Sequence, residues 1–288
     1  MKKYIPVLEQ GYPKVPCYPN FRSSGTGSCE RELAMLARRE KSDKRVVQQH
    51  QTTWQNIGTK IGDMIQEDIL IMEKHYERLV GEPFYFRFER VENDAPNFEQ
   101  FSTKYKVFEK NGLKYSTGGS VDGVMIYTDP VTFKETRIGL EVKSKQSSYS
   151  ATGHFSMREA NPKHVSQVTN YSLLNDLDHY MIMYVNCSHK SWNQTEVDYE
   201  KYPDIRVFGL DITETMKEAV KDKFFRVCEA AESGILPKLE LNGWLFNDYK
   251  KACALSLSYE ELEELEEEAS PKQAHIIEEI KRLRGDIV

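Results

Sequence analysis

The sequence predicts an α/β protein in which a mixed central β-sheet is flanked by helices. Three observations support this: a helical apolar pattern over residues 54–80, alternating β-like segments between 84 and 143, and a later alternation of helical and strand-like segments. This order of elements is typical of a sheet with helices packed on it. A chain of 288 residues is long enough for one elaborated domain of this kind.

The strongest helical pattern lies between residues 54 and 80. Its apolar residues recur every three or four positions from Ile57 to Leu79, and Gly81 is placed to end the helix. Gly58 and Gly62 lie one turn apart inside it, where glycine lowers helix stability. Such a pair indicates close packing against another backbone, or room for a ligand.

Strand-like segments dominate the next part of the chain. Segments 119–127 and 136–143 flank Asp129-Pro130 and predict an antiparallel pair. The remaining predicted elements are a helix at about 163–177, strands at 179–187 and 205–211, and a helix that carries Met216, Val220, Phe224, Val227 and Ala231.

The two ends of the chain differ from its middle. Residues 1–27 are rich in Pro, Gly and Ser and predict an irregular arm, whereas residues 28–257 predict the folded domain. From 258 to 288 we expect a helical tail, which opens with the capping-box pair Ser258 and Glu261. The acidic run of this tail is interpreted as a solvated helical face or, alternatively, as a docking tail for a protein partner.

Composition excludes several classes of protein. No run approaches the roughly 20 apolar residues that a membrane-spanning helix needs. The first ten residues contain too few apolar side chains for a secretory signal, so we expect a cytoplasmic protein. The five cysteines include no C-x-x-C pair, which argues against a zinc ribbon or a disulfide framework.

The net charge of −6 is unevenly distributed along the chain. Seven glutamates lie within residues 260–268, while residues 1–259 carry no net charge. A neutral body can still carry a basic groove, so the overall charge does not exclude a nucleic-acid partner.

Three charged residues of the predicted strand pair form the most informative group. Glu141 and Lys143 project from one face of their strand because side chains alternate, and Asp122 on the partner strand can meet them. Two carboxylates beside a lysine suit Mg²⁺, which keeps several waters for a substrate phosphate. A surface salt bridge is the alternative, but charges inside apolar stretches usually have a function.

The helix that follows adds polar residues to this group. His164, Gln167 and Tyr171 share one face, from which they could position water or a phosphate, although an ordinary helix surface would show the same spacing. Other cations suit a DNA backbone or, equally, a solvated surface. The further DNA-binding candidates are Arg31, Arg38, Arg39, Lys145, Arg158 and Lys163.

The order and spacing of these residues resemble the PD-(D/E)xK nuclease superfamily. Asp122 precedes Glu141-Val142-Lys143 by nineteen residues, and a Q-x-x-x-Y helix with Gln167 follows, as in the RecB-like branch that includes phage exonucleases. The resemblance extends over about residues 28–255. It implies a restriction-endonuclease-like core that hydrolyses DNA.

The resemblance also assigns roles to individual residues. Asp122, Glu141 and the backbone carbonyl of Val142 would bind one or two Mg²⁺ or Mn²⁺ ions, and Lys143 would be the catalytic lysine. Gln167 and Tyr171 would support the site and the DNA.

Two features depart from the family pattern. Relatives supply a further metal ligand from a G-x-x-x-H or G-x-x-x-E helix. When this motif is counted from Gly58, Gly62 occupies the ligand position. Asp63 or Glu67 is therefore the candidate substitute. Cys29 and Cys253 match only two of the four cysteines that hold an iron–sulfur cluster in many relatives, so we expect no cluster.

The sequence therefore predicts a Mg²⁺- or Mn²⁺-dependent DNA exonuclease of phage or mobile-element recombination or replication, acting in the host cytoplasm if phage-encoded. The alternatives are a structure-selective or restriction-type endonuclease and a non-catalytic DNA-binding scaffold on the same fold. The acidic tail could contact a recombination or replication protein. The sequence does not indicate an oligomeric state.

Overall fold

The computed structural model describes residues 13–44 and 47–287, so the first part of the predicted arm lies outside the described residues. The helices in this part of the chain are α1 (Glu30–Ala37), α2 (Gln49–Val80), α3 (Pro162–Asn175), α4 (Glu196–Lys201), α5 (Glu214–Ser233), α6 (Lys250–Leu255), α7 (Tyr259–Glu268) and α8 (Ala274–Arg284). The strands are β1 (Asn20–Arg22), β2 (Phe86–Phe88), β3 (Lys104–Lys110), β4 (Leu113–Gly119), β5 (Gly123–Thr128), β6 (Glu135–Lys145), β7 (His179–Asn186) and β8 (Ile205–Asp211).

The chain divides into two compact units. Among the described residues, the sheet unit comprises 13–14, 47–105 and 118–217, and the helical unit comprises 15–44, 106–117 and 218–287. The predicted fold class, a mixed sheet flanked by helices, is confirmed in the sheet unit.

The sheet unit is built on five strands in the order β2-β5-β6-β7-β8. Strands β6 and β7 run parallel, with Glu141 opposite Ile182, and α3 is the crossover that joins them. The other neighbours run antiparallel, including the predicted pair β5 and β6 with Gly123 opposite Leu140. Gly139 is required on β6 because a Cβ there would lie 2.2 Å from the Tyr180 ring.

Helices α2 and α3 cover the sheet with two separate apolar clusters. Ile65 and Ile69 of α2 are buried with Leu140 of β6, whereas Val168 and Leu174 of α3 are buried in a second cluster with residues of β7. Because side chains alternate along β6, Leu140 packs with α2 while Glu141 points toward α3. The two clusters hold β6 firmly between the helices.

Helix α2 begins earlier than its apolar pattern indicates. It starts at Gln49 because Gln48 and Gln51 form a reciprocal capping box, and it ends at Gly81 with φ of 85°. The long polar and half-exposed surface of α2 is typical of a helix packed along one side only. Within the described residues, no helix combines the length and apolar content that crossing a bilayer requires.

The predicted strand over 119–127 begins too early, because residues 120–122 separate two strands of different sheets. Strand β4 ends at Gly119 and β5 begins at Gly123. The backbone N–H and C=O of Val121 both bond the Ser102 hydroxyl, so neither joins a strand ladder. This break places Asp122 immediately before β5 rather than inside a strand.

The helical unit contains a small sheet and a helical core. The sheet has the order β1-β4-β3, and Asn111 and Gly112 form the predicted tight turn with positive φ angles of 53° and 83°. Phe21 of β1 stacks on Phe224 of α5 with ring centroids 4.6 Å apart. Aromatic packing therefore joins this sheet to α5.

Residues 258–287 belong to the helical unit. Leu262 of α7 and Ile280 of α8 are buried in one cluster with Met35 of α1 and Cys253 of α6. The predicted capping box of Ser258 and Glu261 is present. Most of the glutamates on α7 face outward, as the solvated-face interpretation requires.

Arg31 is buried and does not face DNA, which corrects its assignment as a phosphate contact. Its guanidinium is 1% exposed, binds the Glu261 carboxylate and donates from Nε to the Pro237 carbonyl at 2.5 Å. A guanidinium that is enclosed and fully bonded cannot reach a phosphate. Sequence periodicity missed this because both partners lie more than 200 residues away.

We expect Arg31→Ala to destabilise the helical unit by about 3 kcal/mol without weakening DNA binding. Because Glu261 is more than a third exposed, most of the loss comes from the packing and hydrogen bonds of the buried guanidinium. Denaturant unfolding measures the effect, with the exposed Arg282→Ala as control. Unchanged stability together with weaker DNA binding would restore Arg31 as a DNA contact.

Candidate active site

The fold brings together the three charged residues of the strand pair. Glu141 and Lys143 lie on the α3 face of β6, and the Lys143 Nζ is 2.5 Å from the Glu141 Oε1. The backbone N–H of Val142 donates to the Asp122 Oδ2 at 2.6 Å. Asp122 is thus tied to the main chain of β6 between the other two residues.

Helix α3 directs Gln167 and Tyr171 into the same group. The Gln167 Nε2 donates to the Glu141 Oε1 at 2.9 Å, and its Oε1 accepts from the Lys143 Nζ at 3.2 Å. Tyr171 is buried, and its hydroxyl hydrogen-bonds Gln167. One amide therefore holds both the acid and the lysine in fixed positions.

The two carboxylates oppose each other electrostatically. Burial, and next the charge of Glu141, raise the pKa of Asp122 to about 8. Burial also raises the pKa of Glu141, and the Lys143 ammonium only partly offsets this. Burial raises the pKa of Tyr171 as well, so Tyr171 stays a neutral phenol. The site is therefore short of positive charge.

One carboxylate oxygen indicates where a cation fits. Glu141 is only 2% exposed, and its Oε2 has no hydrogen-bond partner among the described residues. A buried carboxylate oxygen without a donor is costly unless a cation binds it. Within the described residues no three His, Cys, Asp or Glu side chains converge on one ion. An ion here would therefore use Asp122, Glu141, the Val142 carbonyl and water.

Sequence reasoning missed Gln66, the residue of α2 that reaches the site. Gln66 is 3% exposed, and its Nε2 donates to the Asp122 carbonyl at 2.8 Å. The spacing Gly62-x-x-x-Gln66 is the signal that could have identified it, since the motif can be counted from Gly62 instead of Gly58. The carboxylate of Asp63 makes a surface ion pair with Lys60 at 2.7 Å.

Glu99 is the second residue that the sequence did not reveal. Its Oε1 lies 3.4 Å from the Gln66 Nε2, and burial, and next the charge of Asp122, raise its pKa. Its backbone has φ of 48°, unusual for a non-glycine residue, and its N–H bonds the Val121 carbonyl at 2.8 Å. A single-turn helix outside any strand pattern offers no periodic signal for such a residue.

The predicted DNA-binding residues differ in their exposure and in their contacts. The Lys145 Nζ lies 5.1 Å from the centre of the Tyr184 ring, while Arg158 and Lys163 are exposed. The His164 Nδ1 lies 2.8 Å from the Tyr184 hydroxyl, and burial lowers the pKa of His164 to about 4, so it is neutral near pH 7. Arg38 and Arg39 are exposed in the helical unit.

Cys29 and Cys253 belong to the apolar cluster of the helical unit. The Cys29 Sγ accepts from the Glu240 N–H at 3.3 Å, and the Cys253 Sγ accepts from the Asn247 amide at 3.6 Å. Burial raises the pKa of Cys253 to about 12, so it remains a thiol. These contacts are those of packed thiols.

The fold thus brings Asp122, Glu141 and Lys143 together beside Gln167 and Tyr171 of α3, on a mixed sheet. These are the residues on which the resemblance noted in the sequence rests.

No family model matches the chain, and no curated protein sequence matches it. Several solved structures are similar in architecture. They include SSO0001 (12% identity, covering 89% of this chain and 94% of that protein, TM-score 0.44), the alkaline exonuclease LHK-Exo of Laribacter hongkongensis (10%, 75% and 89%, TM-score 0.40) and a phage-related exonuclease of Haemophilus somnus (12%, 80% and 98%, TM-score 0.37).

Proposed function

We propose that the chain is a Mg²⁺- or Mn²⁺-dependent deoxyribonuclease, and that it acts as an exonuclease in phage or mobile-element recombination or replication. The observation that carries the hydrolytic part is the buried Glu141 Oε2 beside Asp122 and Lys143, which has no hydrogen-bond partner in the part of the chain that the structure describes. Two carboxylates and a lysine at the end of a strand pair form a site for a hard cation and a phosphate.

Each residue has a distinct task in this proposal. Asp122, Glu141 and the Val142 carbonyl would hold the ion, which supplies Lewis-acid stabilisation of the phosphate and of a bound water. Lys143 orients the attacking water or stabilises charge that develops on the phosphoryl oxygens. Gln167 keeps the Lys143 ammonium at the site by accepting its hydrogen bond.

Phosphate contacts outside the reacting group are assigned to three cations of the sheet unit, of which Arg158 and Lys163 are exposed and Lys145 is half-buried. Lys145, Arg158 and Lys163 would bind backbone phosphates, and His164 would contribute as a neutral hydrogen-bonding group. Arg38 and Arg39 remain candidates on the helical unit.

Purified protein on end-labelled linear duplex and on closed circular DNA, with Mg²⁺ or Mn²⁺, tests the activity. Progressive loss from the ends supports the exonuclease, and internal cuts in the circle support an endonuclease. Binding without cleavage under both ions would favour a DNA-binding scaffold and reject the hydrolytic proposal.

The number of bound ions would depend on the residue that α2 directs into the site. Gln66 is that residue here, whereas relatives have a charged or imidazole ligand. We expect Gln66→Glu to lower stability by about 1–3 kcal/mol without metal, because the new carboxylate would face Glu99 and the Asp122 carbonyl. With Mg²⁺ or Mn²⁺ the variant should gain more stability than the wild type.

Thermal unfolding with a chelator and with each ion measures this difference. The exposed Gln55→Glu on the same helix is the control, since it adds the same charge away from the site. An equal gain for Gln66→Glu and the wild type would show that residue 66 does not reach the ion.

A further inference from the structure

Strand β6 has a free edge beside the candidate site. Within the described residues, β5 pairs with β6 only as far as Leu140, whereas β7 pairs with it to Lys145. Residues 141–145 therefore lack a strand partner on one side, and Asp122 bonds the Val142 N–H there. We use the word groove for the surface along this edge, from the acidic group to the end of β6.

Helix α2 forms one wall of this groove. A Cβ on Gly58 would lie 3.3 Å from the Ser144 Oγ, so the helix backbone passes close to β6. One turn earlier on the same face, the Trp54 carbonyl accepts from the Gln146 Nε2 at 3.5 Å. Glycine at position 58 allows the α2 backbone to lie close to β6. Trp54, one turn earlier, therefore lies beside the end of the free edge.

The two walls of the groove differ in chemistry. On the α3 side, Lys145 projects from β6 and Lys163 is exposed on the first turn of α3. On the α2 side, Trp54 is 60% exposed and Ile57 is 38% exposed. Cations on one side of this edge and an aromatic ring on the other match one strand of DNA, whose phosphates and bases lie on opposite sides.

We propose that this groove binds DNA as a single strand, with phosphates toward the α3 side and an unpaired base stacked on Trp54. The proposal rests on the nuclease function proposed above. Trp54 precedes Gln66 by twelve residues of helix, about 18 Å, so the stacked base lies a few nucleotides from the acidic group. Bases inside a duplex already stack on both faces and offer no such surface, which makes the contact selective for unpaired DNA.

Fluorescence anisotropy on the Lys143→Ala background tests this without turnover, using a labelled single-stranded oligonucleotide and a blunt duplex. We expect Trp54→Ala to weaken single-strand binding about tenfold, since stacking contributes about 1–3 kcal/mol per base. Trp54→Phe should bind nearly normally because it keeps an aromatic face. Trp192→Ala is the matched control, as Trp192 is 100% exposed in a loop of the same unit.

Abasic sites placed one at a time along the oligonucleotide locate the contact. At one position the abasic oligonucleotide should bind equally to the protein that keeps Trp54 and to the Trp54→Ala variant, because the stacking partner has already been removed. Equal losses for Trp54→Ala and Trp192→Ala, or equal losses on duplex and single strand, would overturn the proposal.

The two proposals fail in different ways. Trp54-dependent binding by a wild-type protein that cleaves no DNA would reject only the nuclease function. If the protein cleaves DNA with a metal ion but Trp54→Ala does not change its affinity for single-stranded DNA, only the stacking groove is rejected.

Discussion

Asp122→Asn is expected to abolish metal-dependent DNA cleavage while leaving the metal-free protein at least as stable as the wild type. The amide oxygen of asparagine can still accept the Val142 N–H, so the backbone contact is kept. The substitution replaces a buried acid, which must either keep its proton or carry a charge beside Glu141, with a neutral amide. We expect cleavage to fall by about 10³-fold or more, because the proposed ion would lose one of its ligands.

The stability difference should depend on pH in a defined direction. Burial, and next the Glu141 charge, raise the pKa of Asp122 from 3.8 to about 8. Between these values the folded protein holds a proton that the unfolded chain has released, so wild-type stability falls as pH rises. Asparagine does not titrate, so the stability of the variant lacks this pH dependence. The free energy of unfolding of the variant, relative to that of the wild type, should therefore increase from about pH 4 to about pH 8 and then level off.

Denaturant unfolding in chelator across this pH range measures the effect, with the exposed Asp68→Asn on α2 as control. Excess Mg²⁺ should reverse the order, because an ion that binds only the folded wild type stabilises it by mass action. A variant that is equally destabilised at pH 5 and pH 9 would identify Asp122 as a structural carboxylate. Normal cleavage by the variant would remove it from the site.

The parts of the fold that depend on local periodicity were predictable from the sequence. The apolar spacing of α2 and α3 and the alternation in β6 and β7 each reflect one buried face, which a single segment records. The antiparallel pairing of β5 and β6 followed from the short connection at Asp129-Pro130, and the structure has it. Sequence alone also indicated that Glu141 and Lys143 share a face.

Features that depend on distant partners were not predictable in the same way. The break before Asp122 results from bonds between Val121 and Ser102, nineteen residues apart. Gln66 and Glu99 meet through a contact that spans 33 residues. Their burial, not their spacing, distinguishes them from surface residues. In the sequence, a buried polar residue on an amphipathic helix looks the same as an exposed one.

Lys143→Ala is expected to reduce hydrolysis by about 10²–10³-fold or more, while DNA affinity changes little. The Lys143 Nζ contacts the Glu141 Oε1 and the Gln167 Oε1, so it is held at the acidic group and not along the outer phosphate path. Its removal leaves the Glu141 charge without its cation, which should lower metal-free stability. Added Mg²⁺ should recover much of that loss by binding the same carboxylate.

Lys145→Ala is the matched comparison because Lys145 projects from the same face of β6 two residues further on. Burial, and next the charge of Lys143, lower the pKa of Lys145. Single-turnover cleavage over a range of DNA concentrations separates the two lysines. We expect Lys143→Ala to lower the maximal rate, and Lys145→Ala to raise the DNA concentration needed to reach it. If both variants changed only that concentration, Lys143 would be a phosphate contact, and the chemical step would have to rely on Asp122 and Glu141 alone.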